Sequence, residues 1–265
     1  MEGGAVLTPY TREEMMTVAA ARALHSSDVC FVGIGLPSAA CNLALRTHAP
    51  GISLIYESGT IETKPSVLPL SIGDGELCET ALTTVPVPEM FRYWLQGGRI
   101  TVGFLGGAQV DRYGNLNSTV IGDYRRPKVR LPGAGGASEI ATSCGRIFIV
   151  MRHHPRAMVE QIDFLTSLGH GRTGRERRQL GLTTAGPTLL VTDLCVMEPN
   201  AETKEFTVAS LHRGVTYDDV RSHTGWRVCF GDQVGETEPP TPEELETLRE
   251  LHARTARAHG AASAG

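Results

Sequence analysis

Ile52-Ser53-Leu54-Ile55-Tyr56-Glu57-Ser58-Gly59 decides how the rest of the chain is read. An apolar, β-prone run ends on a carboxylate, a small residue and a glycine. That order describes a buried strand whose last side chain stands at the rim of a sheet, where open α/β sheets bind ligands. Gly59 lets the backbone turn away and lets a ligand approach. Glu57 is therefore a candidate catalytic carboxylate on a rigid support. The plain alternative is a strand-end glutamate in solvent, which describes most glutamates. The surrounding chain decides between them.

Towards the N-terminus, Thr11 and Glu14 form a capping box that starts a helix running to about Leu24. Val29-Cys30-Phe31-Val32 is a short buried strand. Gly33-Ile34-Gly35-Leu36-Pro37-Ser38 follows, then a helix over 39–45 with Pro37 in its first turn. Strand, G-x-G, helix and an acidic residue 22 positions after Gly35 also fit a dinucleotide fingerprint, with Glu57 on a ribose. Against that, the third glycine position holds Ser38, and Pro37 stiffens the loop. What remains is a set of N–H groups at a helix N-terminus, suited to an anion or a polar ligand. Gly33 and Gly35 are accordingly candidate cofactor-contact residues.

Towards the C-terminus, residues 60–88 read as a long, proline-punctuated stretch that carries function or short elements of its own. Residues 89–95 form a short helix stopped by Gly97-Gly98. A strand over 99–105 runs into Gly106-Gly107-Ala108-Gln109-Val110-Asp111, and Gly114 reads as a turn glycine. Val129-Arg130-Leu131 leads into Pro132-Gly133-Ala134-Gly135-Gly136-Ala137, with a helix starting near Ser138. Residues 146–151 form a central strand. Strand, glycine loop and helix recur, which predicts an α/β fold: a mainly parallel open sheet with helices on both faces.

Leu189–Met197 and Glu205–Leu211 bracket a turn and read as a late β-hairpin. Thr241-Pro242-Glu243-Glu244 caps an amphipathic C-terminal helix to about Ala258, whose Leu245, Leu248 and Leu251 face the body or a partner. Gly169–Arg178 reads as a flexible, solvated basic loop, with capture of a cofactor phosphate as the alternative. Residues 1–265 are taken as a single domain whose ends, 1–10 and 260–265, are flexible.

The 265 residues are 41% hydrophobic and carry a net charge of −4, enough for a large core and without the basic excess of a nucleic-acid binder. Six scattered cysteines without a C-x-x-C pair point to reduced thiols in a cytoplasmic protein, and no metal-ligand spacing appears. Neither a signal peptide nor a membrane-spanning run is expected.

Three stretches together resemble one family. Gly33-Ile34-Gly35-Leu36-Pro37, Glu57-Ser58-Gly59, and the pair of glycine loops at 105–116 and 132–137 are similar in order and spacing to the second (B) subunit of class I coenzyme A transferases. The likeness extends over roughly residues 11–258. Tyr56–Ile61, Lys64–Gly75 and Thr119–Tyr124 are similar to the branch acting on 3-oxoadipate, although other branches carry Asn where Ser58 stands. The resemblance implies a fold of the isomerase/CoA-transferase superfamily type and an enzyme with no permanently bound cofactor, which uses a coenzyme A thioester as substrate. It also implies an A (alpha) subunit as partner, in an α2β2 assembly acting on succinyl-CoA and 3-oxoadipate.

Glu57 would be the nucleophile. A carboxylate suits that role because its acyl adduct stays reactive and because it needs no assisting base at neutral pH. The Gly135 N–H is the leading candidate donor to the oxyanion, with Gly136 and the Gly106-Gly107-Ala108-Gln109 loop near the CoA. Three other readings share the residues: a CoA transferase for glutaconate or acetoacetate, a CoA-thioester or β-diketone hydrolase on the same fold, and a non-catalytic sugar-phosphate-type binding domain.

Overall fold

The computed structural model describes residues 9–262. Five parallel strands form the centre of the sheet: β1 (Val29–Val32), β2 (Ser53–Tyr56), β5 (Val102–Leu105), β10 (Arg146–Val150) and β11 (Pro187–Val191). They lie in the order β11-β10-β5-β1-β2. The chain thus starts in the interior, steps one way to β2, then crosses back to β5. That reversal creates a crevice beyond the carboxyl ends of the strands, where doubly wound folds hold their ligands.

Short antiparallel strands β3 (Thr60–Ile61) and β4 (Thr83–Thr84) extend the sheet past β2, so the proline-punctuated stretch does carry elements of its own. Two small hairpins stand apart from the sheet: β6 (Gln109–Val110) with β7 (Leu116–Asn117), and β8 (Val120–Gly122) with β9 (Pro127–Arg130).

Alternation along the strands builds two cores. Cys30, Val32, Leu54, Tyr56 and Phe104 face α1 (Arg12–Arg22), α2 (Leu36–Arg46) and the C-terminal helix. Phe31, Ile55, Ile147 and Ile149 face the opposite layer, with a π-helix (Met90–Leu95) and the later helix Ala137–Ser143. Helices on both faces of a mainly parallel sheet are what the glycine-loop recurrence predicts.

The caps at Thr11 and Thr241 form as read. Each threonine accepts from the N–H three residues on, and the glutamate there accepts from the threonine N–H. Leu245, Leu248 and Leu251 are buried, so this helix packs on the body.

Several expectations need correction. The late hairpin is a three-strand meander of β11, β12 (Cys195–Pro199) and β13 (Phe206–Leu211), closed by β14 (Cys229–Glu236) parallel to β13. The run Leu189–Met197 folds back on itself because the Thr192 hydroxyl accepts from the Leu194 and Cys195 N–H groups. The C-terminal helix extends from Pro242 to Ala262, past Gly260. Its last turns are tied to the body by the Leu68 N–H donating to Thr255 Oγ1 and by His259 against the Leu68 carbonyl. Pro9 is held as well, its carbonyl accepting from Arg249. The flexibility expected of 1–8 and 263–265 lies outside the described residues.

The basic loop keeps Arg172, Arg175 and Arg178 exposed, as read, but it is anchored at one point. Buried Arg177 donates to the carbonyls of Ala141, Leu168 and Gly169 and to Thr184 Oγ1. Cys30, Cys41, Cys144 and Cys195 are buried thiols, while Cys78 and Cys229 are exposed. Among the described residues no helix is long and apolar enough to cross a membrane.

Three buried histidines set an acid limit on the fold. His153 sits between Thr192 and Thr224, and burial pushes its imidazole down to about 4. Burial also holds His170 down at about 4, and it lowers His212. Because the folded values lie below the ordinary 6.5, the unfolded chain takes up protons first. Stability should be full above pH 6.5 and fall as the pH drops towards 4, by on the order of 2 kcal/mol for each of His153 and His170 at pH 5. Urea midpoints at pH 7 and pH 5 measure this. A pH-independent midpoint over that interval contradicts it.

Candidate active site

Glu57 follows β2 directly, in the turn closed by the Gly59 N–H donating to the Tyr56 carbonyl at 2.9 Å. Tyr56 faces the α1/α2 layer, where its hydroxyl meets Ser38 Oγ at 2.8 Å. Alternation then aims Glu57, like Ile55, at the opposite layer. The contacts agree. A Cβ added at Gly136 would lie 2.8 Å from Glu57 Oε1 and 2.7 Å from Phe91 Cζ. Glu57 is half-buried, and among the described residues no ion pair ties its carboxylate down.

Gly59 carries the turn. Its φ is +107°, and an added Cβ would lie 1.9 Å from the Val85 carbonyl oxygen. That closeness is structural: the Val85 N–H donates to the Gly59 carbonyl and stitches β4 beside the Glu57 turn. The hydroxyls of Ser58 and Thr60 are buried and find no partner within the described residues.

The sequence puts Gly135 ahead of Gly136 as oxyanion donor, whereas it is Gly136 that packs against Glu57. Gly136 is packed between Glu57 and Phe91 and caps helix Ala137–Ser143. Gly135, at φ +49°, would project a Cβ into open space. Gly136→Ala should therefore fold yet lower kcat by about a hundredfold, since a displacement near 1 Å is costly in a positioned reaction. Gly135→Ala should cost far less. Steady-state kinetics of the two variants decide this, and equal losses would contradict the assignment.

The other glycine loop is committed elsewhere in part. The Ala108 N–H donates to the Asn117 carbonyl. The buried Gln109 amide accepts from Asn117 Nδ2 and the Asp163 N–H and donates to Asp163 Oδ2. The Gln109 side chain and the Ala108 N–H therefore help to shape the β6–β7 hairpin. Gly106 and Gly107 lie just beyond the carboxyl end of β5, against the carbonyls of Val150 and Asn117.

Gly33 and Gly35 lie beyond β1. Gly35, at φ +81°, is the uncapped N-terminal residue of α2, with Pro37 in the first turn. The carboxyl ends of β1, β2 and β5 thus present Gly33–Gly35, Glu57 and Gly106–Gly107 on one edge. A cavity of about 800 Å³, lined by Asp111, Glu160, Asp163, Phe164 and Arg172 among others, does not include Glu57. Among the described residues no His, Cys, Asp and Glu side chains are grouped to hold a metal.

Phe91 is the site residue that sequence reasoning missed. It stands on the π-helix, edge-on to Phe31 at 6.1 Å between ring centroids. A π-helix adds a residue to the turn and often marks a functional position, but residues 89–95 read locally as an ordinary short helix.

A half-buried glutamate thus stands at a strand end of a doubly wound sheet, with a glycine loop against its carboxylate. The family to which that architecture belongs is coenzyme A transferase: the profile of this description matches residues 13–223, and the chain is a member. It is 61% identical over 254 residues to the B subunit of the 3-oxoadipate CoA-transferase of Pseudomonas knackmussii (strain DSM 6978 / CCUG 54928 / LMG 23759 / B13), covering 96% of this chain and 98% of that one. The crystal structure of glutaconate coenzyme A-transferase from Acidaminococcus fermentans superposes with a TM-score of 0.86 at 34% identity, covering 92% of this chain and 95% of that one. The cholesterol ring-cleaving hydrolase IpdB subunit of Mycobacterium tuberculosis (strain ATCC 25618 / H37Rv) is 27% identical over 253 residues, covering 90% of this chain and 93% of that one.

Proposed function

We propose that this chain is the B subunit of a CoA transferase that moves CoA from succinyl-CoA to 3-oxoadipate, with Glu57 as the covalent nucleophile. The observation that carries the reading is Gly136 held against the Glu57 carboxylate at the rim of β2. The 61% identity to the B subunit of a 3-oxoadipate CoA-transferase supports the substrate pair and the need for an A subunit.

In this reading a Glu57 carboxylate oxygen attacks the thioester carbon of succinyl-CoA. The tetrahedral oxyanion collapses, expels the CoA thiolate and leaves a mixed anhydride of Glu57 and succinate. The thiolate then attacks the glutamyl carbonyl, releasing succinate and leaving a glutamyl-CoA thioester. A carboxylate of 3-oxoadipate runs the two steps in reverse and departs as 3-oxoadipyl-CoA, restoring Glu57. Each oxyanion needs backbone donors, each worth about 3–4 kcal/mol, and Gly136, packed against the Glu57 carboxylate, is assigned that role. The buried, unpartnered hydroxyls of Ser58 and Thr60 are groups that bound substrate or the partner subunit would satisfy.

The hydrolase reading is weaker, because it leaves a strand-end carboxylate without a covalent task. The enzyme acts as an α2β2 assembly in which each subunit supplies part of the pocket. The purified chain should show no transfer of CoA from succinyl-CoA to 3-oxoadipate until the A subunit is added. Full activity of the isolated chain overturns the two-subunit reading, and faster transfer to glutaconate or acetoacetate overturns the acceptor.

A further inference from the structure

The β8–β9 hairpin is a strongly cationic exposed feature of a chain whose net charge is −4. Residues 123–130 carry Arg125, Arg126, Lys128 and Arg130 against the single carboxylate of Asp123, and all five are exposed. Among the described residues none of the four cations is paired with a carboxylate. Asp123 is occupied in the turn, where Oδ1 accepts from the Arg125 and Arg126 N–H groups at 2.8 and 3.0 Å.

The hairpin is also built to be rigid. Gly122 donates to Asp163 Oδ2 at 2.8 Å. Tyr124 stacks on Phe164 at 5.3 Å, with the Arg130 guanidinium over its ring at 4.7 Å and donating to its carbonyl. Arg130 is therefore used in the scaffold, while Arg125, Arg126 and Lys128 extend free. Unpaired cations held together in this way repel one another, so the arrangement suits an anion that arrives with several charges.

The hairpin is continuous with the site. Its second strand runs through Leu131 and Pro132 into Gly133–Gly136, and Leu131 and Gly133 are pinned by backbone hydrogen bonds to Thr119 and Ser118. Eight residue steps separate Lys128 from Gly136 and eleven separate Arg125 from it, so the Cα atoms lie at most about 29 Å and about 40 Å apart. CoA is an extended molecule, with its thiol at one end and its pyrophosphate and 3′-phosphate at the other. A thiol at Glu57 leaves the phosphates to be received at a distance from the reaction.

We propose that Arg125, Arg126 and Lys128 form the subsite for the phosphates of the CoA substrate. This rests on the reading of the site as one that handles CoA thioesters, and not on which residue is the nucleophile. The subsite contributes binding and takes no part in bond making.

The test uses the enzyme assembled with its A subunit and the double variant Arg126→Ala/Lys128→Ala, both exposed positions whose truncation leaves the hairpin's anchors in place. KM for succinyl-CoA should rise roughly tenfold or more, as expected for lost charge-assisted contacts, with kcat nearly unchanged. KM for succinyl-pantetheine, which has no phosphate, should be the same in variant and wild type. The 3′-dephospho thioester identifies the group held: a difference that vanishes with it assigns the 3′-phosphate, and one that persists assigns the pyrophosphate. In the wild type, KM for succinyl-CoA should also rise with salt more steeply than in the variant. Equal KM values for succinyl-CoA in variant and wild type overturn the proposal while leaving the transferase reading intact. A variant that assembles poorly with the A subunit, but has a normal KM in the assembled fraction, assigns the hairpin to subunit docking and also overturns it.

Discussion

Glu57→Gln should fold, assemble and bind CoA, yet lose turnover by on the order of 10⁴-fold or more, the scale seen when a covalent nucleophile is removed. The amide keeps the size of the side chain and much of its hydrogen bonding, so the packing of Gly136 and Phe91 around it should survive. What it loses is a charged oxygen able to attack a thioester. Glu57→Asp is the complementary variant. It keeps the charge but withdraws it by one methylene from Gly136, a displacement of about 1 Å that costs roughly a hundredfold in a positioned reaction. Single-turnover kinetics on the assembled enzyme should rank wild type above Asp above Gln. An active Gln variant returns Glu57 to a binding role.

The second large effect concerns the turn and not the nucleophile. Gly59→Ala places a methyl 1.9 Å from the Val85 carbonyl oxygen, at a φ of +107° that side chains rarely adopt. The obstacle is backbone, held by the Val85–Gly59 hydrogen bond, so no side chain can swing away to relieve it. The destabilisation should be about 3 kcal/mol or more, combining backbone strain with overpacking. Because β4 is attached there, the Glu57 turn should shift with it, and activity should fall in whatever fraction remains folded. A denaturant midpoint equal to that of the wild type contradicts this account of the turn.

The parts of the fold legible in the sequence are those set by local chemistry. The capping boxes at Thr11 and Thr241 need only residues three apart. The strand ending at Tyr56 and the turn at Gly59 follow from an apolar run and glycine. Each forms where the pattern puts it. The misread parts depend on contacts between distant residues. Thr192 folds Leu189–Met197 into two strands through hydrogen bonds that a run of apolar residues conceals. Arg177 is buried because the Ala141 carbonyl from a distant helix joins those of Leu168 and Gly169 around it, which no count of arginines in the loop reveals.

The same division runs through the site. Glu57 is legible because a strand-end carboxylate before a glycine is a local pattern. The difference between Gly135 and Gly136 is not, since it depends on Phe91 and Glu57 arriving from other elements. Gln109 looks like a free amide in a glycine loop until Asn117 and Asp163 are seen to occupy it.

The central claim is that CoA becomes covalently attached to Glu57. Assembled wild-type enzyme incubated with succinyl-CoA in the absence of acceptor, then digested and analysed by peptide mass spectrometry, tests it directly. The predicted result is a CoA adduct on the peptide bearing Glu57, absent from the Glu57→Gln variant and discharged by adding 3-oxoadipate. An adduct on a different residue, or an active enzyme that forms none, would contradict the mechanism.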